Sequence, residues 1–383
     1  MSIGVAPGID EIRAAAERIR GFVRRTPLLP AAPVRNGADH ARGLLLKLES
    51  LQVTGSFKPR GAINAVLSLP PDTLRRGIVT ASGGNHGLAV AYAGYATGAP
   101  ATIFLPRSVA RDKVANVEGW GARAVVTGED WDESNRAALQ HAEAESLAYI
   151  HAFADPDVIA GQGTVALEIL DESPELDTLI VAIGGGGLIS GIAIAAKALK
   201  PGIRIVGVEP TGAPTLHASI AAASLVVLPS LGTAAVTLAP RRSEALNLAI
   251  VTATVERIAL VEDSEMFDAA RWLWNEAGVA AELSGAAAVA AVLAGCYRPR
   301  PASAYAPLSA APEKMRWSLR NRRVGCSVES ASIHQIEQGA DNGDKSEDQG
   351  RPERTTEIEP HPINQSRKRK QRGRPERVRR FGA

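Results

Sequence analysis

Cysteine is scarce in this chain: Cys296 and Cys326 are the only two among 383 residues. Two thiols offer no disulfide framework and no Cys/His metal spacing, and they suit a reducing, cytoplasmic setting. No charged-then-apolar leader opens the sequence, and no uninterrupted apolar run is long enough to cross a bilayer, so no membrane partner is expected. Repeats at solenoid periods are absent. So are the dinucleotide fingerprint Gly-x-Gly-x-x-Gly and the nucleotide loop Gly-x-x-x-x-Gly-Lys-Ser/Thr. A strong charge of either sign is also missing: the formal net charge is only +2. It is unevenly spread. Residues 297–383 hold 19 Lys/Arg against 11 Asp/Glu, which leaves 24 against 30 in residues 1–296. A mildly acidic folded part implies no nucleic-acid partner.

What is present is strand–helix alternation. Apolar runs at Leu44–Leu48, Gly77–Ala81, Ala101–Leu105 and Ala122–Thr127 read as strands, separated by helical patterns. A second alternating block holds strands at Thr178–Ile183, Arg204–Val208 and Glu256–Val261, with helices at Pro156–Asp171, Leu188–Leu199 and Asp263–Gly278. Alternation of this kind signals an α/β fold with mostly parallel sheets and right-handed crossovers. From Arg298 to Ala383 the composition turns to Pro, Ser, Glu, Gln and Arg, ending in the basic clusters Arg367–Lys370 and Arg377–Arg380. Such a segment buries too little surface to offset its ordering entropy, and it reads as a disordered, solvated basic tail.

Three short stretches carry chemistry. In Ser56-Phe57-Lys58-Pro59-Arg60-Gly61-Ala62 a lysine precedes a proline and an apolar helical pattern. Pro59 suits a first helical turn, and Ser56 or Thr54 is positioned in sequence to cap it. Burial beside Phe57 and a neighbouring cation, Arg60, would both lower the Lys58 pKa and free its amine for Schiff-base chemistry. Ser82-Gly83-Gly84-Asn85-His86-Gly87 is a strand-to-helix turn whose Ser82, Asn85 and His86 offer hydrogen bonds to a carboxylate or a phenolic oxygen. Gly184-Gly185-Gly186-Gly187-Leu188 follows a strand and opens a helix, where converging backbone N–H groups suit a phosphate. Glu209, at the end of the next strand, imitates the ribose-binding acid of dinucleotide folds.

Together, and in this order, these stretches resemble the fold-type II pyridoxal-phosphate enzymes, specifically the serine/threonine dehydratase (threonine ammonia-lyase) family. Pro156–Leu170 and Gly278–Ala287 look like further family segments, and the resemblance covers about residues 8–297. It implies two open, mostly parallel twisted sheets with flanking helices, similar to the tryptophan synthase β subunit. A large domain would comprise residues 1–49 and 151–297 and a small inserted one residues 50–150, with pyridoxal 5'-phosphate in the cleft between them. Lys58 would be the Schiff-base lysine and Phe57 would pack on the cofactor ring. Asn85 would meet the phenolic oxygen, Gly184–Gly187 and Leu188 the phosphate, and Glu282 would stand near the cofactor. Ser82, Gly83 and His86 would line the pocket for a small hydroxy-amino-acid substrate. A homodimer or higher homo-oligomer and no metal are expected.

The implied reaction is β-elimination from L-threonine or L-serine. Racemases of the family carry a second serine where this chain has Gly83, which favours elimination. The family's metal-holding acids correspond to Glu209 and Thr215, and an Asp-Gly pair is missing near Gly232–Val236. The family's final strand and Cys/Ser-Gly-x-Asn turn find no match after Tyr297, since Gly325-Cys326-Ser327 comes late. Two rivals therefore stand beside the lyase: a racemase or β-replacement lyase on the same scaffold, and a catalytically impaired cofactor-binding relic.

Overall fold

Strand residues in this chain alternate between two buried faces. Leu179, Val181 and Ile205 pack with Ile12, Ile169 and Ile192 on one side, while Ile180, Val206 and Val208 pack with Met266, Leu273 and Val289 on the other. A strand covered on both faces has no polar side to show, hence its continuous apolar run. The computed structural model describes residues 5–31, 43–298 and 304–308, all within one compact unit spanning Met1–Trp317.

Ten strands are described: β1 (Leu28–Pro30), β2 (Leu44–Leu48), β3 (Ile78–Ala81), β4 (Ala101–Leu105), β5 (Arg123–Val126), β6 (Ala148–Tyr149), β7 (Thr178–Ala182), β8 (Arg204–Pro210), β9 (Arg257–Val261) and β10 (Ala304–Leu308). Twelve helices accompany them: α1 (Ile9–Arg18), α2 (Lys58–Leu67), α3 (Pro71–Arg76), α4 (Asn85–Thr97), α5 (Arg111–Glu118), α6 (Trp131–Ala144), α7 (Pro156–Glu172), α8 (Gly187–Leu199), α9 (Thr215–Ala221), α10 (Ala245–Thr254), α11 (Asp263–Ala277) and α12 (Leu283–Leu293). One sheet has the order β1-β2-β10-β7-β8-β9 and the other β5-β4-β3-β6; every pairing is parallel except β1 with β2. The α/β class and the two mostly parallel sheets expected from the sequence are therefore present.

The sequence offers no strand after Tyr297, and this expectation is corrected at Ala304–Leu308, which form β10. Ala304–Leu308 pairs along its full length with β2, and Ala304 and Tyr305 also pair with β7. The segment Ala-Tyr-Ala-Pro-Leu has no β-branched residue and carries a proline, which argues against a central strand. Its order comes from neighbours on both sides, and pairing with β7 stops at Tyr305, before Pro307, whose ring nitrogen has no hydrogen to donate. Gly325-Cys326-Ser327 and the basic clusters lie outside the described residues.

Helix contacts set the height of α2, the helix Lys58 opens. Where α2 crosses α7, a Cβ on Gly161 would fall 2.6 Å from the Cα of Gly61 and 2.4 Å from the carbonyl oxygen of Arg60. Only bare backbone on both helices permits this approach.

Candidate active site

Lys58 enters α2 with Pro59 in the first turn, as expected, but neither Ser56 nor Thr54 caps the helix. Phe57 is already helical (φ −62°, ψ −18°) and occupies the capping position, so both hydroxyls sit too early to reach the first amides. Thr54 adopts a left-handed φ of 65°, and the hydroxyls of Thr54 and Ser56 are buried without partners among the described residues.

The Lys58 Nζ donates to the carbonyl of Ala152 at 2.8 Å and lies 5.2 Å from the centre of the Phe57 ring. Burial brings it from 10.5 down to about 8. Arg60 has no part in that shift, contrary to expectation. Its guanidinium turns to Glu49 (2.8 Å) and Glu168 (2.7 Å), and Lys47 reaches Glu168 at 2.6 Å. Burial opposes the charge on Arg60 and on Glu168, and ion pairing overrides it: Glu49 and then Glu168 hold Arg60 above its ordinary value, while Arg60 and then Lys47 hold Glu168 below its own.

At the end of β3, the Ser82 hydroxyl accepts from the Gly84 amide at 3.2 Å and so stays within its own turn. A side chain at Gly83 would enter apolar surroundings, with Val109 Cγ2 3.3 Å from a Cβ there. Asn85 starts α4 and donates its amide to Glu282 at 3.1 Å; Thr237 donates to the same carboxylate oxygen at 3.3 Å. His86 bonds the carbonyl of Ile150 through Nε2 at 3.0 Å, and its Nδ1 is buried without a partner. Burial, then the nearby Lys58, pushes this imidazole down to about 3, so it stays neutral.

Gly184–Gly187 close off β7 and open α8. Gly186 has a φ of +100° and caps a helix that no side chain caps, so first-turn N–H groups, including that of Leu188, are left for a ligand. The glycines are sterically required: a Cβ on Gly185 would fall 2.2 Å from the Phe153 ring, and one on Gly187 2.8 Å from the Phe153 Cα.

The sequence reading missed the segment that joins these parts. Ile150, Ala152 and Phe153 accept from His86, Lys58 and Asn247 respectively, and Phe153 covers the glycine loop. Its one visible signal is the pair His151 and Phe153 just ahead of Asp155, which caps α7 through its carboxylate. Glu209 belongs elsewhere: fully buried and pushed up to about 7 by that burial, it accepts from the amides of Leu216 (2.8 Å) and His217 (2.9 Å). It anchors α9. No group of three or more His, Cys, Asp or Glu side chains placed to hold a metal ion occurs among the described residues, and no helix there is long and apolar enough to cross a membrane.

A buried amine whose pKa is lowered to about 8, an uncapped helix start behind four glycines and orphaned buried polar atoms at Ser56, Thr54 and His86 together fit an aldehyde-bearing phosphate. They fit pyridoxal phosphate. The family model described as "Pyridoxal-phosphate dependent enzyme" matches residues 19–304, and the chain belongs to that family, with the type II fold. An L-threonine ammonia-lyase of Geobacter sulfurreducens is 38% identical over 282 residues, covering 74% of this chain and 70% of that protein. A serine racemase of Oryza sativa subsp. indica is 40% identical over 292 residues, covering 76% and 85%. Among solved structures, maize serine racemase superposes with a TM-score of 0.76 at 36% identity, covering 80% of this chain and 94% of that one.

Proposed function

We propose that the chain is an ammonia-lyase converting L-threonine or L-serine to a 2-oxo acid and ammonia. Lys58 would hold the cofactor covalently beside Phe57, the Gly184–Leu188 amides its phosphate, and Asn85, oriented by Glu282, its phenolic oxygen. When bound, pyridoxal phosphate supplies the electron sink. The chain's own part is positional and acid–base. Once the substrate amine has displaced it from the cofactor, Lys58 Nζ, its pKa lowered to about 8 by burial, would take the α-proton, and Ser82 and the His86 turn would bind the substrate carboxylate. As the Cα–H and Cβ–O bonds break, the α-proton and the hydroxyl together account for the water lost, and the released enamine hydrolyses to the 2-oxo acid and ammonia.

The observation that carries this reading is Gly83. Racemisation needs a second proton carrier on the face opposite the lysine, and position 83 offers none, only contacts to Val109, Pro106 and Leu105. The similarity to serine racemases at 40% identity favours the racemase as a second reading. Incubation with L-threonine or L-serine decides: equal amounts of 2-oxo acid and ammonia with little D-amino acid are expected. Abundant D-isomer without ammonia would overturn the lyase. The proposal includes the division into a larger body and a smaller one at 50–150, and a homo-oligomeric state measurable by light scattering.

A further inference from the structure

The loop between β6 and α7 serves the site with its backbone rather than its side chains. The carbonyls of Ile150, Ala152 and Phe153 accept from His86 on α4, Lys58 on α2 and Asn247 on α10, at 3.0, 2.8 and 3.0 Å. No regular secondary structure aims three neighbouring carbonyls at three helices. The loop is held in this shape by His151. Its Nδ1 accepts from the amides of Phe153 (3.2 Å) and Ala154 (2.9 Å), and its ring stands edge-on to Tyr149 and Phe153 at centroid distances of 6.3 and 4.7 Å. An Nδ1 that accepts carries no proton, so the ring is neutral, and burial keeps it so, at about 4.

We propose that His151 is a positioning residue for Lys58: by accepting from the two amides it curls the loop so that the Ala152 carbonyl holds the lysine amine where the cofactor aldehyde must meet it. Nothing else in the loop's side chains performs this closure; Asp155 bonds only forward, to Asp157 and Val158.

The inference rests on the pyridoxal-phosphate assignment but not on which amino acid is turned over, so the product analysis can fail without touching it. Its test uses the full chain stripped of cofactor and measures how fast added pyridoxal phosphate becomes trapped on Lys58 by borohydride, beside thermal melting. His151→Leu removes the acceptor. His151→Asn restores one, because an asparagine carbonyl accepts from the amide two residues on. We expect attachment about tenfold slower or worse in His151→Leu, in keeping with the cost of misplacing a reacting group, and near the unaltered rate in His151→Asn. A folded His151→Leu chain that attaches cofactor at the unaltered rate overturns the proposal, as does an Asn variant as slow as the Leu variant. If His151→Leu does not fold, the Asn variant decides alone: a near-unaltered rate supports the role, and a tenfold loss refutes it.

Discussion

Arg60 and Glu49 meet through two parallel hydrogen bonds, Nε to Oε2 at 2.8 Å and Nη2 to Oε1 at 2.9 Å, with both side chains fully buried. The remaining guanidinium nitrogen and the same Nη2 reach Glu168, at 2.7 and 2.9 Å, so one residue ties α2 to the turn after β2 and to α7. This anchor lies two residues from Lys58. Glu49→Ala strands half of a buried guanidinium, and a loss of about 3–5 kcal/mol is expected in urea unfolding. Arg60→Lys keeps the charge but not the fork and should also lose stability. A change well below 1 kcal/mol for Glu49→Ala would mean that water relieves the guanidinium.

Covalent attachment of pyridoxal phosphate to the cofactor-free chain should rise with pH through about 8, since only the free amine attacks. The folded value lies below the unfolded 10.5, so burying Lys58 costs stability below about pH 8, and the cost fades as pH approaches 10.5. Lys58→Met should therefore abolish attachment and turnover yet melt no lower than the unaltered chain at pH 7. A midpoint near 10 in the attachment profile would show the lysine to be solvated.

His86 and His151 are held neutral down to about 3 and about 4, whereas in the unfolded chain they protonate near 6.5. Each takes up a proton on unfolding below that value, so their stabilising contribution is whole above pH 6.5 and declines as pH falls toward 4. The slope is about 1.4 kcal/mol per pH unit per histidine. Denaturant midpoints measured from pH 7 to pH 4 test this, and His86→Gln should flatten the decline. An equally steep decline in that variant would assign the acid sensitivity to other groups.

Gly185→Ala would drive a methyl group into the Phe153 ring, 2.2 Å from Cδ1. Either the ring or the glycine loop must move, and phosphate binding should suffer most: a loss of tenfold or more in cofactor affinity is expected, of the order of 1.4 kcal/mol. Dialysis equilibrium with pyridoxal phosphate measures it. Retained affinity would show that the loop yields without harm.

Backbone amides in Ala304–Leu308 should exchange with deuterium as slowly as those of β7, because this strand is paired on both sides over its first two residues. Rapid exchange there would return the segment to the solvated tail its composition suggests.

The parts of this fold that show in the sequence are those whose side chains record their surroundings. The apolar runs of β3, β4, β7 and β8 exist because helices cover both faces, and the Ser82–Gly87 and Gly184–Leu188 turns stand at the ends of β3 and β7. The Asn85–Glu282 bond spans 197 residues, and the resemblance placed both partners near the cofactor without revealing that they touch. The loop from Ile150 to Phe153 escaped because it works through carbonyls, and a carbonyl leaves no mark in residue identity. The caps misread at Ser56 and Thr54 follow from the same limit: hydroxyls one and three residues ahead of the capping position read like caps but cannot reach the amides.

The position of β10 bears on how the molecule comes together during synthesis. It is the last described strand to leave the ribosome, yet it is the one that joins β2 to β7. Until residue 308 has emerged, the β1-β2 ribbon and the β7-β8-β9 block each present a bare edge, separated by more than a hundred residues of chain already made. The sheet of β3 to β6 suffers no such delay, since all four of its strands are consecutive. The four-stranded sheet can thus form on the nascent chain, while the six-stranded sheet, whose β7 leads into the glycine loop, waits for its last strand.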